Sequence, residues 1–167
     1  MRIYVPATVA GLRRVLDDQA LQPRSGTAFA LTPGLRESYA SGDDEELEYA
    51  AMREAARASL RLLAAEMADD PEVPARRVVV SADVDDATLR PDLDDAVVRV
   101  SGPIPMSRLA AVHLDLSEAE SSVRAAVAVV DDADLGDPDA EFVLGDAEDH
   151  ELAWYAVQEL PFVLELM

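Results

Sequence analysis

Residues 43–68 read DDEELEYAAMREAARASLRLLAAEMA, and after a short loop residues 76–84 read RRVVVSADV. These two stretches decide the fold class. Asp43 stands where an N-cap belongs and Glu46 follows three positions later, a capping-box spacing with Asp in place of Ser or Thr. The acids at 43–46 and 48 suit the positive end of a helix dipole. Tyr49, Met52, Ala56, Leu60, Leu63 and Met67 recur at helical spacing, with Leu47, Ala51, Ala55, Ala58 and Leu62 beside them. So wide an apolar face predicts a substantially buried helix. The unbroken Val78-Val79-Val80 run predicts a strand covered on both faces. A long helix packed on a central strand is the nucleus of an α+β domain.

Working outward, residues 2–6 predict a first strand that Pro6 ends or confines to an edge. Thr8 caps a helix to about Gln19, with Val9, Leu12, Val15 and Leu16 on one face. Pro23–Gly26 is a loop, and residues 27–31 are a strand. Thr32-Pro33 is an N-cap followed by proline at the first helical position, and opens a helix that ends near Gly42. Residues 96–101 and 109–115 are strands flanking the breaker GPIP at 102–105. Ser117 caps a helix to about Asp131, and another starts at Asp137-Pro138. Residues 151–157 are the last strand, and an apolar turn closes the chain at 160–166. The order is β-α-β-α-α-β-β-β-α-α-β. It predicts one mixed sheet of five to six strands with helices packed on it, in one domain over residues 1–167. The strand-then-capped-helix units at the start and at 109–131 suggest two related βα halves.

The 167 residues carry 34 acidic and 14 basic side chains, a net charge of −20. Every basic residue is Arg, and there is no Lys. Residues 1–42 are net +2, whereas residues 125–167 hold twelve acids and no Arg. Binding a polyanion needs a cationic footprint, so a nucleic-acid partner is not expected. The early Arg residues are expected to face the late carboxylates. Absence of Cys removes disulfides, thiolate catalysis and Cys-based metal sites. The N-terminal MRIYVPATVAGLRRVL has no apolar run of signal-peptide length, and no segment has the apolar length of a membrane span. A cytoplasmic protein without a membrane partner is expected.

Candidate chemistry is sparse. The run Asp43-Asp44-Glu45-Glu46-Leu47-Glu48 offers Asp43 and Glu46 as weak metal ligands, but a helix N-terminus accounts for it better. The loop DDADLGDPDAEF at 131–142 fails as a calcium loop, because Ala133, Leu135 and Phe142 fall on ligand positions. Two imidazoles exist, His113 on a strand and His150 amid carboxylates, and either could pair with Asp115 or Asp149 for acid–base work. His150, Trp154, Tyr155, Glu159 and His113 are the ligand-binding candidates. Trp154 is expected in the core, since adjacent strand residues face opposite ways. Arg53, Arg57 and Arg61 form an i, i+4 stripe expected to neutralise nearby acids. No Walker A loop, GxGxxG, GxSxG or HExxH is present, and no cofactor is expected.

Four stretches, MRIYVPATVAGL, GDDEELEYAA with ARASLRLL, VRVSGPIP with AAVHLD, and HELAWYAVQEL, together resemble an uncharacterised actinobacterial family of small acidic proteins, a domain of unknown function. The resemblance covers nearly the whole chain. It implies a single cytosolic domain and assigns no catalytic residue. The resulting expectation is a non-enzymatic interaction or regulatory domain, working through a protein partner or as a homodimer. Two alternatives stand beside it. One is a small-ligand or metal-binding protein or enzyme using His150, Trp154, Tyr155, Glu159 or the cluster at 43–48. The other is a mimic of nucleic acid.

Overall fold

A computed structural model describes all 167 residues. The strands are β1 (Arg2–Ala7), β2 (Ala20–Leu21), β3 (Thr27–Phe29), β4 (Val78–Asp83), β5 (Thr88–Leu89), β6 (Val97–Arg99), β7 (Ile104–Pro105), β8 (Leu109–Leu114) and β9 (Ala153–Tyr155). The helices are α1 (Val9–Asp18), α2 (Pro33–Ser38), α3 (Asp44–Asp69), α4 (Glu120–Asp134), α5 (Pro138–Glu148) and α6 (Leu160–Glu165). The architecture is α+β. Seven strands form one sheet in the order β5-β6-β3-β1-β4-β8-β9, and β2 pairs with β7 separately. Every pairing is antiparallel. The expected mixed sheet of five to six strands is thereby corrected. Two-residue strands such as β5 are too short to show a period of two, and strand direction is set by connections that leave no local trace.

Alternation along the strands sorts the core into two faces. Ile3, Val5 and Ala7 of β1 join Val78, Val80 and Ala82 of β4 on one face, under α1 and the Leu160 and Leu164 side chains of α6. Tyr4, Phe29, Val79 and Val97 turn the other way, onto Ala51, Ala55 and Ala56 of α3. Beyond α3 lies a third layer. Leu60 and Leu63 continue into a cluster with Val123, Val127 and Val130 of α4 and Leu144 of α5. Thus α3 is buried on two sides, which explains its wide apolar face. The two suggested βα halves are not placed equivalently, because α1 covers the sheet whereas α4 packs on α3.

Capping chemistry fixes the helix starts. The Thr8 hydroxyl accepts from Gly11 N, Thr32 from Leu35 N, and the Asp43 carboxylate from Glu46 N. Asp137 caps α5 in the same way, accepting from Asp139 N. Ser117 does not cap α4. It opens a 3₁₀ turn over Ser117–Ala119 that feeds the helix. Pro6 lies inside a central strand, contrary to its expected place at an end or edge. The β1–β3 pairing is confined to Tyr4 and Phe29, so the missing N–H interrupts only a short ladder.

Ser59 of α3 joins helix to sheet. Its hydroxyl donates to Ala7 O at 2.7 Å and accepts from Val78 N at 3.0 Å, locking the paired ends of β1 and β4. Ser59→Ala strands both backbone groups in a buried position. The expected loss is about 1–3 kcal/mol, read from urea unfolding, and a loss below about 0.5 kcal/mol would show that the joint is dispensable.

Candidate functional site

At the open edge of the sheet, β8 pairs with β9 and His113 stands opposite Trp154. Cross-strand partners share a face, and this one is the face that α3 covers. The first turns of α3 do not reach the edge strand. They leave a shallow cleft of about 380 Å³. Sheet residues Tyr4, Ser81, His113 and Trp154 form its floor, and Glu45, Glu48, Tyr49 and Met52 of α3 form its wall. The β4–β8 pairing skips Ala110 at this point, a bulge that bends β8 at the cleft.

Trp154 is 61% exposed, which corrects its expected place in the core. On an edge strand there is no further strand and no helix to cover it. Tyr155, one residue on, packs against the main core. Tyr49 is 46% exposed and presents a second ring to the cleft. Glu45 and Glu48 form no ion pair, and the one cation lining the cleft, Arg2, is engaged by Asp83 at 2.8 Å. Aromatic faces and uncompensated carboxylates therefore stand side by side.

Burial and the neighbouring Glu48 carboxylate push the Tyr4 phenol up to about 12. Tyr4 is therefore a neutral donor at pH 7, with its hydroxyl 3.5 Å from Glu48 Oε2. Burial, with a smaller contribution from the Arg2 guanidinium, holds the His113 imidazole below its usual range, so it too is neutral at pH 7. His113 Nε2 lies 3.4 Å from Ser81 Oγ, and that hydroxyl is also 3.4 Å from Ala111 O. This pair is not an activated nucleophile. Ser81 is 2% exposed, and no carboxylate orients the other ring nitrogen.

The other sequence candidates disperse. Asp115 is consumed by a buried ion pair with Arg77, 2.8 Å from Nη2 and 2.9 Å from Nε, and does not meet His113. His150 contributes its backbone carbonyl to Arg77 Nη2 at 2.7 Å, and its ring makes no hydrogen bond. Glu159 is exposed at the end of a 3₁₀ turn before α6. Asp43 is spent as a helix cap, with Glu46 supplying the capped N–H. Nowhere in the chain do three His, Asp or Glu side chains converge as metal ligands. The Arg stripe does pair with acids. Arg53 meets Glu148, Arg57 meets Asp134 and Glu141, and Arg61 meets Asp134. These Arg residues of α3, rather than the early Arg residues, face the late carboxylates.

The cleft thus gathers His113 and Trp154 with Glu45 and Glu48 of the acidic cluster at 43–48, and adds Tyr4, Tyr49 and Ser81, which sequence reasoning missed. One signal for Tyr4 was present, since alternation from Ile3 and Val5 turns it to the opposite face. No helix is long and apolar enough to cross a membrane. A family model described as a family of unknown function, DUF6912, matches residues 1–164. No curated protein and no solved structure matches the chain.

Proposed function

Since the chain belongs to this family of unknown function, we propose from its own geometry that it is a non-enzymatic interaction domain that recognises a cationic group of a protein partner. The target is a guanidinium or ammonium side chain on a basic segment. The observation that carries the reading is the exposed Trp154 ring beside Tyr49, Glu45 and Glu48 in one cleft. Aromatic faces attract cations through their quadrupole, by roughly 0.5–2 kcal/mol each depending on desolvation. Carboxylates without a salt-bridged cation add attraction, and the net charge of −20 steers basic segments toward the surface. Neutral His113 and Tyr4 leave this negative potential uncancelled. We read the chain as one domain over residues 1–167. Its Ala-, Arg- and Asp-rich, Lys-free composition accords with a GC-rich actinobacterial genome, and we read the setting as cytoplasmic.

Trp154 is the only tryptophan, so its fluorescence reports the site directly. Titration with an arginine-rich peptide is expected to shift that emission saturably, and a glutamine-substituted peptide should not. Raising salt from about 0.05 to about 0.5 M should weaken binding severalfold. Glu45→Gln with Glu48→Gln should weaken it about tenfold, with melting shifted by no more than a few degrees. An unchanged emission, or equal response to the neutral peptide, would refute cation recognition.

A further inference from the structure

A larger cleft lies elsewhere and has the opposite chemical character. It is a cleft of about 680 Å³ where the end of β1, the first turns of α1, the Gln22–Gly26 loop and Leu62 and Glu66 of α3 meet. Two arginines, Arg14 and Arg24, line it. Their state is unusual for this molecule. Nine of the fourteen arginines form ion pairs with carboxylates. Arg13 and Arg124 donate to backbone carbonyls. Arg14, Arg24 and Arg99 alone have no polar partner, although acids outnumber bases by 34 to 14. Two of those three line one cleft. It is built largely from residues 1–42, the one segment whose net charge is positive.

The loop that lines the cleft is fixed by backbone hydrogen bonds. Ser25 and Gly26 adopt φ of 56° and 69°, and the loop is pinned by Gly26 N to Pro23 O at 3.0 Å and by Val100 N to Gly26 O at 2.8 Å. Arg14 lies over the first turn of α1, where a Cβ on Gly11 would sit 3.7 Å from its Nη2. Across the cleft, Glu66 receives the Thr8 hydroxyl on Oε1 at 2.7 Å, and its second oxygen has no partner. Asp18 is the other carboxylate in the lining. The site therefore offers guanidinium donors without acceptors and carboxylate acceptors with spare capacity.

We propose that this cleft binds a small hydroxylated phosphomonoester. The phosphate takes the donors of Arg14 and Arg24, and a hydroxyl of the same molecule donates to Glu66. Arginine suits phosphate because its planar fork presents parallel donors to paired oxygens. The volume falls within the range of small-molecule sites. Two compensating carboxylates favour a ligand with its own donors over a bare anion.

Isothermal titration calorimetry with ribose 5-phosphate, ribose and inorganic phosphate tests this on the full chain. Ribose 5-phosphate is expected to bind with Kd on the order of 0.1–1 mM. Inorganic phosphate should bind more weakly, and ribose should show no saturable heat. Arg14→Gln with Arg24→Gln should weaken ribose 5-phosphate about tenfold or more. Both side chains are exposed and make no contact the fold depends on, and each single variant serves as a second probe. Glu66→Gln should weaken ribose 5-phosphate but not inorganic phosphate. Saturable binding that is equal for ribose, equal in the double-arginine variant, or absent for every probe would overturn the assignment.

Discussion

Asp115→Ala is expected to cost about 3–5 kcal/mol of folding stability, a large share of what a domain of this size possesses. Asp115 is fully buried and Arg77 nearly so, with 0% and 4% of their side chains exposed. The carboxylate accepts from Arg77 Nε, from Arg77 Nη2 and from the Arg77 backbone N, at 2.8–2.9 Å. Arg77 Nη2 continues to His150 O, so one guanidinium joins β4, the end of β8 and the turn that leads into β9. Removing the carboxylate leaves a buried cation facing a cavity. The cost comes from that unpaired charge, and a fully matched pair can be worth little by itself. A combined Asp115→Ala, Arg77→Met variant should therefore recover much of the loss. Denaturant unfolding of the three proteins measures both quantities. A single-variant loss below about 1 kcal/mol would mean that water reaches Arg77. Amide exchange in β9 should also accelerate in the single variant, because the His150 anchor feeds the strand that carries Trp154.

The same ion pair shows where sequence reading stops. Asp115 was legible as a polar residue closing an apolar strand, and it invited a pairing with His113. Its real partner is 38 positions away, and the two approach because β4 and β8 are neighbours. Local chemistry was legible wherever both partners lay within one turn. Asp43 with Glu46, Thr32 ahead of Pro33, and Asp137 ahead of Pro138 each set a helix start within a residue or two of the observed one. The Val78–Val80 run was legible as a buried strand because burial on both faces erases alternation. Trp154 was misread because alternation tells which side a residue takes and is silent on whether anything covers that side. Exposure there follows from the edge position of β9. The two clefts were illegible for a related reason. The first draws on β1, α3, β4, β8 and β9, and the second on β1, α1, α3 and the loop before β3. No window of sequence contains either.

Gly26 and Gly102 separate two costs that a glycine substitution usually mixes. Both have positive φ, 69° and 81°, a region in which a side chain costs roughly 1–2 kcal/mol. Around Gly102 nothing lies within 4 Å of a built Cβ, so Gly102→Ala should show that conformational cost alone. At Gly26 the same atom would fall 2.6 Å from the Val100 carbonyl oxygen. That oxygen is backbone and cannot rotate aside. Relief requires the loop to move from β6, which breaks the Val100 N to Gly26 O hydrogen bond and displaces Arg24 beside it. Gly26→Ala is therefore expected to lose about 2–4 kcal/mol, roughly 1–2 more than Gly102→Ala. Urea unfolding of the two variants gives the difference, and equal losses would show that the loop yields freely. A pinned loop has a functional corollary. If Arg24 is held in place by this close approach, a folded Gly26→Ala protein should bind ribose 5-phosphate more weakly, while its Trp154 response to an arginine-rich peptide stays unchanged. The two clefts share β1 and α3 but no lining residue, so a backbone shift at one should leave the other's chemistry in place.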